Sequence, residues 1–546
     1  MSTGRSSLIM AAGTVTSRVL GFVRAVLLAA TIGVTTDAAD AFGVANQLPN
    51  NVYAIIAGGV LNAVLVPQIV KARSHHDGGQ GYIDRLVTLI LVVFASATVL
   101  TTVAAPWLVS LYTSGWSADQ LALATAFAYW CLPQLFFYGL YSLLGEVLNA
   151  RSAFGPFMWA PVLNNIVAIG GLAAYVVLFG ADPTGERAIS GWGADQISII
   201  AATATAGVAA QALILLLFWK RVGLKLGVNF KWRGVGLRPA AKAASWTLGM
   251  VLVTQIGGLV QTVVASSTVA ARAAEGLAIA SIAASSIAWL IFMLPHSIAT
   301  VSIATASFTK ISTHAADGEL DHFKRQVGAS LRAILAFSFF ATAALMVLAY
   351  PVSRVFVGEY PATVALGNVL IAFMVGLVPF SFVFMLQRAF YALEDTRTPF
   401  IFTTIQTVLF VGAALVISQT IEPRWLVAAL ALASSLSILV QAIIAYRLLR
   451  RKVGAFEGVG LSGATTRMLT AAVLSGAAGA GILVGTSSHL AGSFALSSVL
   501  GAVTVSAGIG AVMLVVYFVG IALLGVEESW TAWRAVAKAF KGITRR

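Results

Sequence analysis

Charged residues are scarce in this sequence. Only 10% of its 546 residues are Asp, Glu, Lys or Arg, and 59% are hydrophobic. Soluble globular domains carry about 25% charged residues. A soluble protein with this composition would expose very few groups that water solvates well. The composition therefore excludes an ordinary soluble domain and indicates a protein that lies in a lipid bilayer.

Cysteine and the motifs of common enzymes are nearly absent. The single cysteine, Cys131, lies in the apolar stretch Ala-Tyr-Trp-Cys-Leu-Pro, which excludes an intrachain disulfide and predicts a core residue. The sequence has no Gly-Lys-Ser/Thr phosphate loop, no His-Glu-x-x-His and no nucleophile elbow. No loop is long enough for a catalytic domain, and His75-His76 is expected in a solvated turn. The sequence therefore predicts a protein that is not an enzyme.

Long apolar runs recur from end to end. A membrane-spanning helix needs about 20 predominantly apolar residues, and the runs predict an all-α polytopic membrane protein with about fourteen such helices. The first run lacks a small-residue cleavage site and is expected to remain as helix 1. The predicted spans are 7–33, 40–71, 85–113, 119–149, 157–180, 194–219, 240–268, 276–309, 325–350, 361–391, 399–420, 423–446, 467–488 and 494–524.

The 34 basic residues are distributed unevenly among the loops. They outnumber the acidic residues and give the chain a net charge of +14. One alternate set of loops, which includes both termini, holds 27 of them, and the opposite set holds only Arg187, Arg272, Arg354 and Arg424. Basic loops stay on the cytoplasmic side. The pattern therefore predicts cytoplasmic termini in a bacterial plasma membrane, and attributes the positive charge to the membrane surface, with no nucleic-acid partner.

The two halves of the sequence resemble each other. Leu48-Pro49 recurs as Leu294-Pro295, Pro133 as Pro379, and Pro156-Phe157 as Pro399-Phe400. Six spans separate the copies, so they share one orientation, as in transporters built from parallel repeats. The prediction is an N-lobe over 1–222, a linker and C-lobe over 223–452, two further spans over 453–526, and a basic amphipathic cytoplasmic tail over 527–546.

Two arginines fall inside the first predicted span. An arginine at the centre of a membrane helix costs about 2.5–3.5 kcal/mol on insertion scales, so Arg18 and Arg24 are candidate ligands for an anion. The guanidinium fork fits phosphate oxygens. A bend near Gly21 would turn both toward one hydrated chamber between the lobes. The alternative is that Arg18 reaches back to the cytoplasmic interface.

Other polar residues within the predicted spans complete the candidate site. Each has a second interpretation: Asp40 as a cap of helix 2, the asparagines as interhelical hydrogen-bonding groups, Glu146 as the partner of Arg151 rather than a proton site, and His296 as a core residue. The candidate ligands of the cargo are Asp40, Asn46, Asn50, Asn62 and His296, and the candidate coupling residue is Glu146.

Several motifs resemble the MurJ (MviN) family of the MOP exporter superfamily along essentially the whole chain. They are Ser17-Arg-Val-Leu-Gly-Phe-Val-Arg24, Thr36-Asp-Ala-Ala-Asp-Ala-Phe42, Asn46-Gln-Leu-Pro-Asn50, Gly145-Glu-Val-Leu-Asn149, Ala160-Pro-Val-Leu-Asn-Asn165 and Arg388-Ala-Phe-Tyr-Ala-Leu-Glu-Asp-Thr-Arg-Thr-Pro399. The last is the most specific, and its Arg388 joins the candidate site. Arg18, Arg24 and Asp40 match functional positions of the family.

The resemblance implies a lipid II flippase with a MOP- or MATE-like fold of fourteen helices. Its cargo would be the undecaprenyl-pyrophosphate-linked disaccharide pentapeptide, moved from the inner to the outer leaflet by alternating access, with a groove beside the last two helices for the polyprenyl tail. It implies no cofactor, and coupling to Na⁺, to H⁺ or to the membrane potential. Expected partners are lipid II, membrane lipids and proteins of cell-wall synthesis and division.

The sequence departs from the family where other cavity charges are common. Ala25, Tyr53, Gly58 and Leu290 occupy positions at which relatives often carry charged side chains. Two alternatives therefore stay open at this stage. One is a MOP-type exporter of another polyprenyl-linked glycan or of a drug, and the other is a non-transporting membrane scaffold for cell-wall synthesis.

Overall fold

The computed structural model describes residues 3–58, 80–151, 153–219, 227–231, 237–456, 460–486 and 493–526. Within these ranges the regular structure is entirely helical, as the composition predicts. The chain divides into two compact units, residues 1–276 with 281–283, and residues 277–280 with 284–546.

In the first unit, helices pack on helices that are adjacent or nearby in the sequence, and later helices also pack on α1 and α2. In it α7 packs on α1 and α8, α2 packs on α5, and α3 packs on α6. The helices are α1 (Thr3–Ile32), α2 (Asp37–Ile56), α3 (Gln80–Val103), α4 (Ala105–Tyr112), α5 (Ala118–Cys131), α6 (Gln134–Ala150), α7 (Phe154–Phe179), α8 (Ala194–Leu213), α9 (Leu216–Trp219), α10 (Leu237–Ser266) and α11 (Thr268–Glu275).

The second unit holds most of α12 and all later helices. In it α19 packs on α16, α17 and α18, while α14 packs on α13, α17 and α20. The helices are α12 (Ile282–Pro295), a π-helical turn (His296–Thr300), α13 (Val301–Ala316), α14 (Leu320–Val347), α15 (Ala349–Arg354), α16 (Tyr360–Met374), α17 (Leu377–Ala392), α18 (Arg397–Thr420), α19 (Pro423–Val453), α20 (Leu461–Gly485), α21 (Phe494–Ser497) and α22 (Val499–Leu523).

The predicted membrane spans are confirmed where the structure describes them. Among the described residues, twelve helical segments are long and apolar enough to cross a membrane, some of them made of two consecutive helices. Helices α16 and α17, bent by 43°, make a thirteenth if counted as one span. The remaining prediction, 40–71, is described only up to residue 58. The basic tail predicted over 527–546 lies outside the described residues. The predicted lobe boundaries stay a prediction, and they differ from the division into compact units, which places α10 and α11 in the first unit.

Helix breaks explain why several predicted spans are longer than a bilayer requires. The span predicted over 119–149 breaks at Leu132-Pro133, between α5 and α6, because proline has no N–H to continue the helical bonds. Between α16 and α17, at Val375-Gly376, the hydroxyl of Ser435 donates to the Ala372 carbonyl oxygen at 2.8 Å. A side chain thus satisfies a carbonyl at the break inside an apolar environment.

One of the three proline pairs of the two halves occupies equivalent helix positions. Pro156 is the third residue of α7, and Pro399 is the third residue of α18. The first turn of a helix tolerates proline because its N–H groups have no intrahelical partner. This agreement supports the predicted repeat.

Three of the four arginines on the sparsely charged set of loops are held by local contacts. Arg187 donates to the Phe179 carbonyl at 2.9 Å, Arg354 donates to the Leu496 carbonyl at 2.7 Å, and Arg424 pairs with a Glu422 carboxylate oxygen at 2.7 Å. These contacts give each of the three arginines a structural role, which accounts for their presence on the sparsely charged set of loops. The fourth, Arg272, belongs to the candidate site.

Candidate functional site

A buried ion cluster joins the start of α2 to α11. One guanidinium nitrogen of Arg272, Nη2, lies 2.5 Å from a carboxylate oxygen of Asp37 and 2.7 Å from one of Asp40. The Asp40 side chain is 0% exposed, the Arg272 side chain 9% and the Asp37 side chain 29%. A buried carboxylate needs such a partner, because burying an isolated charge costs several kcal/mol.

The second oxygen of Asp40 accepts a hydrogen bond from the backbone N–H of Ala283, at 2.9 Å. The suggested role of Asp40 as the cap of helix 2 is wrong, because that position is occupied by Thr36. Its hydroxyl accepts from the Ala39 N–H at 3.1 Å. Asp40 lies one turn inside the helix. Its carboxylate binds an arginine and a backbone N–H that are more than 200 residues away in the sequence, rather than the N-terminal N–H groups of α2.

Arg24 lies within the first unit beside apolar side chains. It borders a cavity of about 10 Å³ together with Phe42 on α2, Leu172 on α7 and Thr203 on α8. That volume is enough for one water molecule. Arg24 also lies within electrostatic range of Tyr138 on α6. The structure thus surrounds Arg24 with four helices, and its role as a ligand of the cargo stays a prediction.

Helix α1 is uninterrupted through Gly21, and both arginines lie away from its exposed apolar stripe. Val15, Val19 and Val23 form that stripe, and each is at least 40% exposed. At about 100° per residue, Arg18 points about 100° from Val19 at the middle of the stripe, and Arg24 points about 140° from it on the opposite side. Both are half-buried. The valine face of α1 is therefore suited to contact lipid, and the two arginines lie on the other faces of the helix.

Asn46 belongs to a polar network on the inner faces of α2 and α6. Its Oδ1 accepts from the side-chain amide of Gln134 at 3.1 Å, and Gln134 in turn accepts from the Tyr138 hydroxyl at 2.9 Å. Tyr138 lies within electrostatic range of Arg24 on α1, so the hydrogen-bonded chain from α2 to α6 ends near that arginine. The interhelical role considered for Asn46 is present in the structure. Asn50 is exposed, and Asn62 lies outside the described residues.

His296 and Arg388 meet at one phenylalanine in the second unit. The His296 Nδ1 lies 3.0 Å from the Ser381 hydroxyl oxygen, and the side chain is buried. The ring of Phe384 lies 5.2 Å from the His296 ring, and the Arg388 guanidinium carbon lies 5.2 Å from the centre of the same Phe384 ring. The contacts of His296 are those of a core histidine with a polar partner, and the half-buried Arg388 is held by cation–π contact.

Glu146 is half-buried on α6 and lies within electrostatic range of Tyr53 on α2. Tyr53 is one of the positions at which the sequence departs from the resembled family, and the structure brings the Glu146 carboxylate near it. Both the pairing of Glu146 with Arg151 and its role in ion coupling stay predictions. Cys131 is fully buried, which confirms it as a core residue.

Sequence reasoning missed Arg272 and Gln134 as members of these networks. Arg272 had been counted only as one of four arginines on the sparsely charged set of loops. A usable signal was present, because an acidic pair at a helix start and an isolated arginine were predicted on the same side of the membrane. Gln134 carried no signal beyond its place after Pro133.

The motif Arg388–Pro399 forms the turn between α17 and α18. Glu394 has a φ of +57°, which reverses the chain after α17, and the Asp395 N–H bonds back to the Phe390 carbonyl at 2.9 Å. The Asp395 carboxylate accepts from the Thr398 N–H at 2.9 Å and pairs with Lys452 at 2.6 Å. The specificity of this motif thus reflects turn geometry as well as charge.

The charge on Asp395 is expected to stabilise this turn in a pH-dependent way. Burial raises the pKa of Asp395, but the bonds from Lys452 and Thr398 outweigh it and hold the pKa below the ordinary value of a carboxyl. Asp395→Asn should cost about 1 kcal/mol at neutral pH, since Lys452 is partly exposed and solvent screens the pair. Because the pKa is depressed, this difference should be present above about pH 4 and disappear as the pH falls through the folded-state value.

Thermal unfolding of the wild type and of Asp395→Asn in lipid nanodiscs, measured from pH 7 down to pH 3, checks this expectation. Glu422→Gln is the control, since its pair with Arg424 is exposed on both sides and should contribute almost nothing. A difference between wild type and Asp395→Asn that stays constant down to pH 3 would contradict the assignment.

Comparison with known proteins agrees with the resemblance noted in the sequence. A probable lipid II flippase MurJ of Rhizobium meliloti (strain 1021) is 28% identical over 414 residues, which cover 74% of this chain and 73% of that protein. A probable lipid II flippase MurJ of Rhizobium tropici is 26% identical over 82% of this chain and 81% of its own length.

The fold is shared with solved transporter structures. A lipid II flippase MurJ in an inward closed conformation superimposes with a TM-score of 0.69 at 17% identity, over 94% of this chain and 99% of that one. A multidrug resistance MATE family transporter of the MOP superfamily, in an inward-facing conformation, gives a TM-score of 0.57 at 16% identity, over 80% of this chain and 99% of that one. At these identities the likeness establishes a MOP-type fold. The family model described as "Lipid II flippase MurJ" matches residues 28–504, and the chain therefore belongs to the MurJ family.

Proposed function

We propose that this protein is a flippase that moves lipid II from the inner to the outer leaflet of a bacterial plasma membrane. The observation that carries the proposal is the match of the MurJ family model to residues 28–504. It covers the motifs that hold Asp40 and Arg388.

The chemistry of α1 supports an anionic cargo. Lipid II presents a pyrophosphate between its sugar and its polyprenyl chain, and arginine binds phosphate oxygens through paired N–H donors. Arg18 and Arg24 lie in a helix that is otherwise apolar enough to span a membrane. We assign them to the pyrophosphate, with the sugar and peptide in a hydrated site that opens to each side of the membrane in turn.

Energy coupling and orientation are part of the same proposal. The chain belongs to a transporter family, and we propose that a Na⁺ or H⁺ gradient or the membrane potential drives transport, with Glu146 as the candidate coupling residue. A charge that crosses the membrane gains about 2.3 kcal/mol per 100 mV, which suffices to bias a cycle. The distribution of basic residues supports cytoplasmic termini.

Depletion of the protein should leave lipid II trapped in the inner leaflet. The measurement is the fraction of lipid II that an externally added lipid II-cleaving enzyme reaches in spheroplasts, in a strain without paralogues. A plasmid copy of the wild type should restore the accessible fraction, and so should Arg424→Gln, which changes an exposed arginine of the opposite set. An accessible fraction that stays normal after depletion would contradict the proposal.

The same strain separates the proposal from its two alternatives. A MATE-like drug exporter, which the fold similarity alone would allow, should leave outer-leaflet lipid II unchanged and lower drug resistance when depleted. A scaffold should tolerate loss of the cationic residues of α1 while still recruiting cell-wall enzymes. Purified protein in liposomes with a labelled lipid II gives the direct readout, since a scaffold moves no label.

A further inference from the structure

Two histidines and a glutamate meet at the connection between α13 and α14, in the second unit. One potential ligand atom from each of His314, Glu319 and His322 lies within 4.8 Å of the others. The His314 Nδ1 lies 2.8 Å from a Glu319 carboxylate oxygen, and the imidazole rings of His314 and His322 stack at 5.3 Å. This cluster takes no part in the transport proposed above.

We propose that His314, Glu319 and His322 form a binding site for a Zn²⁺ ion. Two imidazole nitrogens and a carboxylate oxygen are ligands that zinc prefers, and a water molecule would complete its four-coordinate shell. Calcium and magnesium are disfavoured because they require more oxygen ligands than this cluster offers.

The backbone holds the three ligands in place before any ion binds. Gly318, with a φ of +74°, ends α13 in the left-handed region, and the Glu319 N–H bonds to the His314 carbonyl at 2.9 Å. His314 and Glu319 are thus joined through both backbone and side chain. His322 follows in the first turn of α14. Ligands fixed by a tight turn lose little entropy on binding.

The elements on both sides of the turn are anchored in the core. Ile311, one turn before His314, and Phe323, directly after His322, are both fully buried in the same hydrophobic cluster. The ligand side chains themselves remain accessible, with His314 28% and Glu319 49% exposed. An ion therefore reaches the cluster without unfolding it, and small rotamer changes suffice to bring the ligand atoms to coordination distance.

Nearby cations oppose binding only in part. Lys324 is paired with Asp321 at 2.9 Å. Arg325 approaches the Nε2 of His322 at 3.5 Å, and a guanidinium only donates hydrogen bonds. An ion bound at this nitrogen would displace the contact, which at 3.5 Å is long for a hydrogen bond.

The test is zinc binding to the full-length protein in nanodiscs after removal of any affinity tag. The background variant His75→Gln/His76→Gln/His489→Gln removes the other histidines outside the predicted spans and should still bind one equivalent of Zn²⁺ by calorimetry. Cobalt should give a visible absorption band that zinc abolishes. In this background His314→Gln, Glu319→Gln or His322→Gln should each weaken binding about 10-fold or more, while Asp317→Asn, a neighbouring carboxylate, should not change it.

Thermal unfolding gives an independent readout. Saturating Zn²⁺ should raise the unfolding midpoint of the background variant, because a ligand that binds only the folded state stabilises it. The rise should vanish in His314→Gln and His322→Gln, whose own midpoints should match the background since both side chains are accessible. Absence of a bound equivalent in the background variant, or binding that survives both histidine substitutions, would overturn the proposal.

Discussion

Asp40→Asn is expected to destabilise the first unit by about 3 kcal/mol, at the lower end of the range for breaking a buried ion pair. The substitution keeps an oxygen that accepts from the Ala283 N–H and removes only the charge. Arg272 would then be left with Asp37 alone, which is more exposed than Asp40. The loss should lower the unfolding midpoint by about 5 °C in a unit of this size.

The single cysteine offers a direct readout of this effect. Cys131 is fully buried at the end of α5, and α5 packs on α2. A thiol-reactive fluorophore therefore labels the protein only when this part of the first unit opens. Asp195→Asn is the matched control, since Asp195 lies in the first turn of α8 and is exposed. Its free energy of unfolding should change by less than about 0.5 kcal/mol, so its unfolding midpoint should stay close to that of the wild type.

A double-mutant cycle isolates the pair itself. Arg272→Gln alone should destabilise about as much as Asp40→Asn, because it leaves two carboxylates close together. The double variant Asp40→Asn/Arg272→Gln should be markedly more stable than the sum of the single losses predicts. Additive losses, or an Asp40→Asn midpoint equal to the control, would show that the cluster contributes no stability. Loss of transport with a normal midpoint would assign Asp40 to the transport cycle instead.

The spans and their helical nature were predictable because the bilayer imposes a length and a polarity on each helix. Helix breaks were less predictable. Pro133 ends α5 at a visible signal, whereas the break between α16 and α17 falls at Val375-Gly376 and is stabilised by Ser435, a residue 60 positions or more away from the carbonyls it binds. Local sequence carries the first kind of information and not the second.

The same limit governs the candidate site. Arg272 and Asp40 are 232 residues apart, Asn46 and Gln134 are 88 apart, and His296 and Ser381 are 85 apart. Sequence shows that a polar residue in a membrane helix needs a partner, but the partner is chosen by packing. For this reason sequence reasoning singled out Asp40, Asn46 and His296 but missed Arg272 and Gln134, and it left open the division between cargo ligands and structural hydrogen bonds.

Arg24→Ala is expected to lower lipid II translocation strongly while leaving the protein folded. A charge-assisted hydrogen bond to phosphate contributes about 1.5–3 kcal/mol, and loss of a paired set corresponds to about a 10- to 100-fold lower affinity for the head group. Removing the cation should not unfold the first unit, because Arg24 borders a small cavity and lies within electrostatic range of Tyr138, and no carboxylate among the described residues pairs with it. Complementation of a depletion strain and labelled lipid II transfer in liposomes measure the effect.

Conservative variants make this prediction specific. Arg24→Lys keeps the charge but not the fork of donors, so its activity should lie between wild type and Arg24→Ala. Arg424→Gln, which removes an exposed arginine, should transport normally. Activity equal to wild type in a folded Arg24→Ala would contradict the assignment of Arg24 to the pyrophosphate. If that variant also recruited cell-wall enzymes normally, a scaffold would explain the chain better than a flippase, because a scaffold has no anion to hold within the membrane.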